Sequence, residues 1–113
     1  MTVVETPFFL RKAEKIFDEE ERAELVLSVG SEPEAGEIIP ETGGVRKLRW
    51  ALGSKGKSGG APVIYYFHSG RMPVILLSVY AKSVKVNLSK AERNELKKLI
   101  PELVREFTKG SRT

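Results

Sequence analysis

Residues 45–52 read V-R-K-L-R-W-A-L, residues 63–68 read V-I-Y-Y-F-H and residues 74–82 read V-I-L-L-S-V-Y-A-K. These runs, rich in β-branched and aromatic residues, are the strongest strand signals in the chain and decide its fold. Side chains alternate along a strand, so Val45, Lys47, Arg49 and Ala51 share one face of the first run and Arg46, Leu48, Trp50 and Leu52 the other. The apolar set is expected to pack inward, bringing Lys47 and Arg49 out side by side. The later two runs are almost continuously apolar, which means that both of their faces are covered by helices. In the last run Ser78, Tyr80 and Lys82 share a face.

The same region holds the charge. Between residues 45 and 90 there are nine Lys or Arg (Arg46, Lys47, Arg49, Lys55, Lys57, Arg71, Lys82, Lys85 and Lys90) and no Asp or Glu. Residues 1–44 carry four basic against eleven acidic side chains, whereas residues 45–113 carry fifteen basic against four acidic. A basic surface mounted on a sheet points to an anionic partner. The alternative is neutralisation within the molecule, with an acidic N-terminal part lying across the basic strands.

Outward from the strands, G-S-K-G-K-S-G-G at 53–60 is a basic, glycine-rich loop, and S-G-R-M at 69–72 is the hairpin turn between the second and third runs. Ser89 with Glu92 forms a capping box, and Leu96, Leu99, Ile100, Leu103, Val104 and Phe107 make one helical stripe ended by Gly110. Pro101 lies inside that stripe and predicts a kink near residues 97–101. Toward the N-terminus, Val3 and Val4 begin a short strand, and Thr6-Pro7 opens a helix to about Ile16. Asp18 with Glu21 opens a second helix, whose core face is Ala23, Leu25, Val26, Leu27 and Val29 and which ends at Gly30. Residues 31–44 read as a loop, closing in the turn E-T-G-G. The expected order is β-α-α-β-β-β-α in an α+β single domain over residues 1–113.

No apolar run approaches the roughly 18 residues that cross a membrane, and the N-terminus lacks a basic segment followed by an apolar one, so a cytoplasmic protein is expected. The chain has no Cys and one His. Disulfides, thiolate nucleophiles and Cys/His metal centres are therefore excluded, and no cofactor is expected. K-G-K-S lacks the spaced glycine of a phosphate loop and leads into a strand, which argues against nucleotide hydrolysis. His68, beside the hairpin turn, reads as a half-buried polar cap.

What remains for chemistry is Lys47, Arg49, Lys55, Lys57, Tyr80 and Lys82. Cations and a phenol around a sheet suit a phosphodiester, because they bind its charge and the further charge that develops at phosphorus. RNA supplies its own nucleophile in the 2′-hydroxyl, so cleavage needs no metal. A basic binding face without catalysis is the alternative on the residues alone.

The runs G-E-I-I-P-E-T-G-G-V-R-K-L-R-W, G-K-S-G-G, V-I-Y-Y-F and L-L-S-V-Y-A-K, followed by a capped helix, resemble the HigB type of the RelE superfamily of bacterial toxins. The resemblance spans roughly residues 36–100 and implies a RelE-like domain with a mostly antiparallel sheet, two N-terminal helices and a kinked C-terminal helix. It implies a toxin of a type II toxin–antitoxin system: an mRNA endoribonuclease acting on translating ribosomes without a metal, partnered by a helix-turn-helix antitoxin through which it oligomerises. By the same resemblance Lys47, Arg49, Tyr80 and Lys82 would be catalytic; of the basic block around them, Arg46, Lys55, Lys57 and Lys85 are expected to bind RNA. Relatives commonly carry Arg immediately before the V-I-Y-Y strand, where this chain has Pro62. Two alternatives accompany this reading: a ParE-like toxin that inhibits DNA gyrase and cleaves nothing, and a catalytically silent RNA- or ribosome-binding module.

Overall fold

The computed structural model describes residues 1–50, 60–81 and 87–110, the last three of these by backbone alone. In chain order the elements are β1 (Val3–Glu5), α1 (Pro7–Ala13), α2 (Glu19–Ser31), β2 (Glu37–Ile38), β3 (Val45–Trp50), β4 (Ala61–Tyr66), β5 (Val74–Val79) and α3 (Lys90–Gly110). The strands form one five-stranded sheet in the order β1-β5-β4-β3-β2. Its β1–β5 pair is parallel and the other three pairs are antiparallel. The protein is thus an α+β domain with a mixed sheet between two helical layers.

Both faces of the sheet are covered, as the continuous apolar runs require. On one face Phe9 and Ala13 of α1 and Leu25 and Val29 of α2 pack with Val63, Tyr65, Val74, Leu76 and Val79, and Leu48 and Trp50 lean on this cluster. On the other, Ile100 of α3 packs with Val45, Ile64, Tyr66, Met72, Ile75 and Leu77.

The helix starts follow their capping residues. The Thr6 hydroxyl accepts from the Phe9 N–H at 3.2 Å and donates to the Leu76 carbonyl at 2.8 Å, so one side chain caps α1 and pins it to β5. The Asp18 N–H donates to the Glu21 carboxylate at 2.9 Å and the Glu21 N–H to the Asp18 carboxylate at 2.8 Å, while the Ser89 N–H donates to the Glu92 carboxylate at 2.8 Å and the Glu92 N–H to the Ser89 hydroxyl at 3.1 Å. Both are the reciprocal capping box.

Several expectations are corrected. Helix α1 stops at Ala13 rather than Ile16. Of the apolar residues of α2, Leu25 and Val29 are buried, while Leu27 is 71% exposed and Ala23 is exposed. Leu25 and Val29 stand four apart and share a face. Leu27, two residues on, is turned about 200° away at 3.6 residues per turn. The stretch 31–44 is not wholly loop, because Glu37 and Ile38 pair with Lys47 and Arg46 as β2. Helix α3 contains Pro101 and reaches Gly110, as expected. His68 is exposed rather than half-buried.

Strand β4 begins at Ala61, which makes Pro62 its second residue, between β3 and β5, rather than a residue at the strand's entrance. A central strand ordinarily excludes Pro because of its missing N–H. The N–H and C=O of one residue in an antiparallel strand face the same neighbour. Here the Pro62 carbonyl accepts from the Tyr80 N–H at 3.1 Å, so the missing N–H would have faced β5 just beyond its last residue, Val79. The proline sits where the ladder ends.

Candidate functional site

Strand β3 sets the site. Arg49 is in register with Pro62 of β4, whose carbonyl takes the Tyr80 N–H, so Arg49, Pro62 and Tyr80 form a row across three strands. Lys47, two residues back along β3, stands in register with Ile64, and on its other side with Glu37 of β2. Residues directly opposite in an antiparallel pair point to the same side, so the Glu37 carboxylate and the Lys47 ammonium stand on one face.

Two recesses meet at these residues. One, of about 420 Å³, is lined by Ala35, Glu37, Lys47, Leu48, Arg49 and Pro62. The other, of about 290 Å³, brings Arg93 of α3 and Asn87 to Lys47, with Ile39, Pro40 and Leu88 as apolar wall. The Lys47 ammonium donates to Asn87 Oδ1 at 2.8 Å, and the Arg93 Nε is buried with no hydrogen-bond partner among the described residues. At the other end of the row the Lys12 ammonium of α1 lies 4.2 Å from the centre of the Tyr80 ring. A cation over a phenol ring is attracted by the ring's electron-rich face. The face therefore combines cations, the Tyr80 phenol and the Glu37 carboxylate, a set able to neutralise a phosphodiester and to accept a proton beside it.

Of the residues singled out in the sequence, Lys47, Arg49 and Tyr80 fall on this face. Arg46 does not. It alternates to the opposite side and its guanidinium donates to the carbonyls of Glu34 and Gly36 at 3.2 and 2.7 Å. Its partner across the sheet, Tyr65, secures the same segment, accepting from the Gly36 N–H at 2.9 Å and donating to the Pro33 carbonyl at 2.8 Å. Burial raises the pKa of the Tyr65 hydroxyl, opposed by the Gly36 hydrogen bond and the Arg46 charge. The phenol thus stays protonated and able to donate. Arg46 and Tyr65 hold residues 33–36, and so hold Glu37 beside Lys47. Lys55, Lys57, Lys82 and Lys85 lie outside the described residues.

Glu37, Arg93, Asn87 and Lys12 were not singled out in the sequence. Glu37 sat in an apparent loop, Arg93 on the polar side of a helix, and Lys12 in a region read as acidic. Only the i, i+10 pairing of Glu37 and Lys47 around the E-T-G-G turn could have exposed one of them, had β2 been recognised.

A further pocket of about 400 Å³ opens between α3 and the sheet, with walls including Ile64, Leu77, Tyr80, Leu96, Leu99 and Leu103. Of the predicted α3 stripe only Ile100 is fully buried, and Leu99 is 41% exposed. The Ser78 hydroxyl at this pocket is buried with no hydrogen-bond partner among the described residues. Removing an unsatisfied buried hydroxyl relieves its desolvation cost, so Ser78→Ala is expected to leave stability unchanged or raise it by about 1 kcal/mol, as thermal unfolding will read.

No protein family model matches the chain.

Proposed function

We propose that this protein is a metal-independent mRNA endoribonuclease with the RelE-like topology, the HigB-type toxin of a bacterial toxin–antitoxin pair, acting in the cytoplasm on translating ribosomes. The observation that carries this reading is the single face shared by Lys47, Arg49, Glu37 and Tyr80. In the reaction the RNA 2′-oxygen attacks the adjacent phosphorus and the bond to the 5′-oxygen of the next nucleotide breaks. The products are a 2′,3′-cyclic phosphate and a 5′-hydroxyl. Lys47 and Arg49 neutralise the charge that builds on the phosphoryl oxygens. Glu37, in register with Lys47, takes the proton of the 2′-hydroxyl, and the leaving oxygen is protonated by a neighbouring cation or water. Lys82 follows Tyr80 in the chain and remains a proposed member of the site. A helix-turn-helix antitoxin is the proposed partner, and the oligomer forms through it.

The test is primer extension on a reporter mRNA after induction, with the message translated and with its start codon removed. Stops confined to the translated message support a ribosome-dependent nuclease. An unchanged transcript accompanied by growth arrest would favour the gyrase-directed alternative.

Pro62 favours the second reading, a silent binding module. Its side chain lines the recess shared by Lys47, Arg49 and Glu37. An Arg at this position could hold two phosphate oxygens at once, a geometry unavailable to Pro. Pro62→Arg is expected to raise cleavage and growth inhibition at least about tenfold, equivalent to about 1.4 kcal/mol of transition-state stabilisation. Glu37 in the same recess offsets part of the added charge. Matched-expression growth curves and cleavage maps of the two forms check this, and equal activity would remove position 62 from the site.

A further inference from the structure

Helix α1 differs from the rest of the acidic N-terminal part. Its seven residues, P-F-F-L-R-K-A, carry Arg11 and Lys12 and no carboxylate, with Glu14 at the C-cap and Lys15 after it; the acidic cluster Glu19-Glu20-Glu21 belongs to α2. Phe9 and Ala13 are the core anchors of α1, both fully buried. Phe8 has no such task and is 49% exposed. An aromatic ring left half in water forgoes much of the stabilisation its burial would bring, so its exposed face is open to a partner.

The neighbours of Phe8 identify that partner. The Arg11 guanidinium carbon lies 5.9 Å from the Phe8 ring centre and the Lys12 ammonium 5.0 Å, while the same ammonium lies 4.2 Å from the Tyr80 ring centre. Lys12 therefore joins Phe8 to the row Tyr80–Pro62–Arg49. Two strand spacings of about 4.8 Å separate the backbones of Tyr80 and Arg49, about 10 Å in all. A protein segment docking on Phe8 would have to desolvate the cations beside it, at a cost that a phosphodiester instead offsets. The pocket that Phe8 lines also carries Glu92 and Glu95 of α3, which repel phosphates and direct a polyanion over α1.

We infer that Phe8, Arg11 and Lys12 form a base-stacking platform for an unpaired nucleotide of an RNA strand whose neighbouring phosphate is held by Lys47 and Arg49. The inference rests on the RNA-binding reading of the sheet face. The Phe8 ring supplies a sequence-tolerant π surface, and Arg11 and Lys12 neutralise the flanking phosphates. Phe8 is a positioning residue, remote from the reacting phosphorus.

The test is fluorescence anisotropy of the full chain with a labelled single-stranded oligoribonucleotide over a series of salt concentrations, with the corresponding duplex as control. Phe8→Ala is expected to weaken single-strand binding at least about fivefold, since stacking is lost, with the salt slope unchanged because no counterion-releasing contact is removed. Lys12→Ala should lower the slope by about one unit. Phe8→Trp should restore affinity, and its added fluorescence, measured against the Trp50 background, should be quenched by RNA. Duplex binding should be insensitive to Phe8, because paired bases cannot splay onto a ring. Lys47→Ala with Arg49→Ala is the reference. If that pair weakens single-strand binding while Phe8→Ala binds as the unmodified chain does, or if Phe8→Trp is not quenched, the platform is refuted and the basic face stands. If the unmodified chain shows no salt-dependent RNA binding, the reading of the face falls and the platform with it.

Discussion

Replacing Lys47 and Arg49 together with Ala is expected to abolish RNA cleavage and growth arrest while leaving the melting temperature within a few degrees of the parent's. Losing one positioned donor or cation costs about 2.7–4 kcal/mol in the transition state, or 10²–10³ in rate, and two groups acting on one phosphoryl group do not lose less. Arg49 is exposed, Lys47 hydrogen-bonds Asn87 at the surface, and the core faces of β3 rest on Val45, Leu48 and Trp50. Surface substitutions of this kind ordinarily stay within about 0.5 kcal/mol. Thermal unfolding together with cleavage mapping separates loss of chemistry from loss of structure. Full toxicity in the folded double variant would remove the nuclease assignment.

The largest effect on stability away from the core is expected from Gly36→Ala. A Cβ at this position would stand 2.8 Å from the Tyr65 hydroxyl oxygen, 2.9 Å from a Tyr65 ring carbon and 3.0 Å from the Lys47 carbonyl oxygen. None of these can yield cheaply, since Tyr65 is fully buried and the third is backbone of the adjoining strand. Overpacking of about 1–3 kcal/mol adds to the strained or broken hydrogen bond between the Gly36 N–H and the Tyr65 hydroxyl, so a loss of about 3 kcal/mol is expected. For a domain of this size that lowers the melting temperature by roughly 10 °C or more. Because the same contact holds Glu37 beside Lys47, activity should fall even below the melting transition. A Gly36→Ala protein that melts with the parent would show that the 33–36 segment is free to move away from Tyr65.

The contrast between these residues also shows what the sequence made legible. The helix starts could be read because a cap is a local interaction: Thr6, Asp18 with Glu21 and Ser89 with Glu92 each find their partner within three residues. The faces of β3 could be read because alternation is fixed by strand geometry. Strand β2 could not, since two residues in a stretch rich in Gly, Pro and Glu carry no period. It is formed by a turn in which the Thr42 hydroxyl donates to the Ile39 carbonyl and accepts from the Val45 N–H, with Glu41, Gly43 and Gly44 at positive φ. With β2 unseen, Glu37 could not be paired with Lys47.

Arg46 was misleading for a related reason. As a charge in a basic block it resembled its neighbours, and only the return of residues 33–36 over the far side of the sheet gives its guanidinium two carbonyls. Regional charge counts likewise hid α1, whose basic side chains were outnumbered by the acids of α2 and of the segment after it. Proximity in sequence put Lys12 with those acids, whereas packing on β5 puts it over Tyr80.

The most direct test of the proposed chemistry is the identity of the new RNA ends produced by the purified protein on ribosome-bound message. Attack by the 2′-oxygen, aided by Lys47, Arg49 and Glu37, must leave a 2′,3′-cyclic phosphate on the upstream fragment and a 5′-hydroxyl on the downstream one, and both must vanish with Lys47→Ala and Arg49→Ala. Fragments bearing a 3′-hydroxyl and a 5′-phosphate, or ends that persist in the double variant, would contradict it.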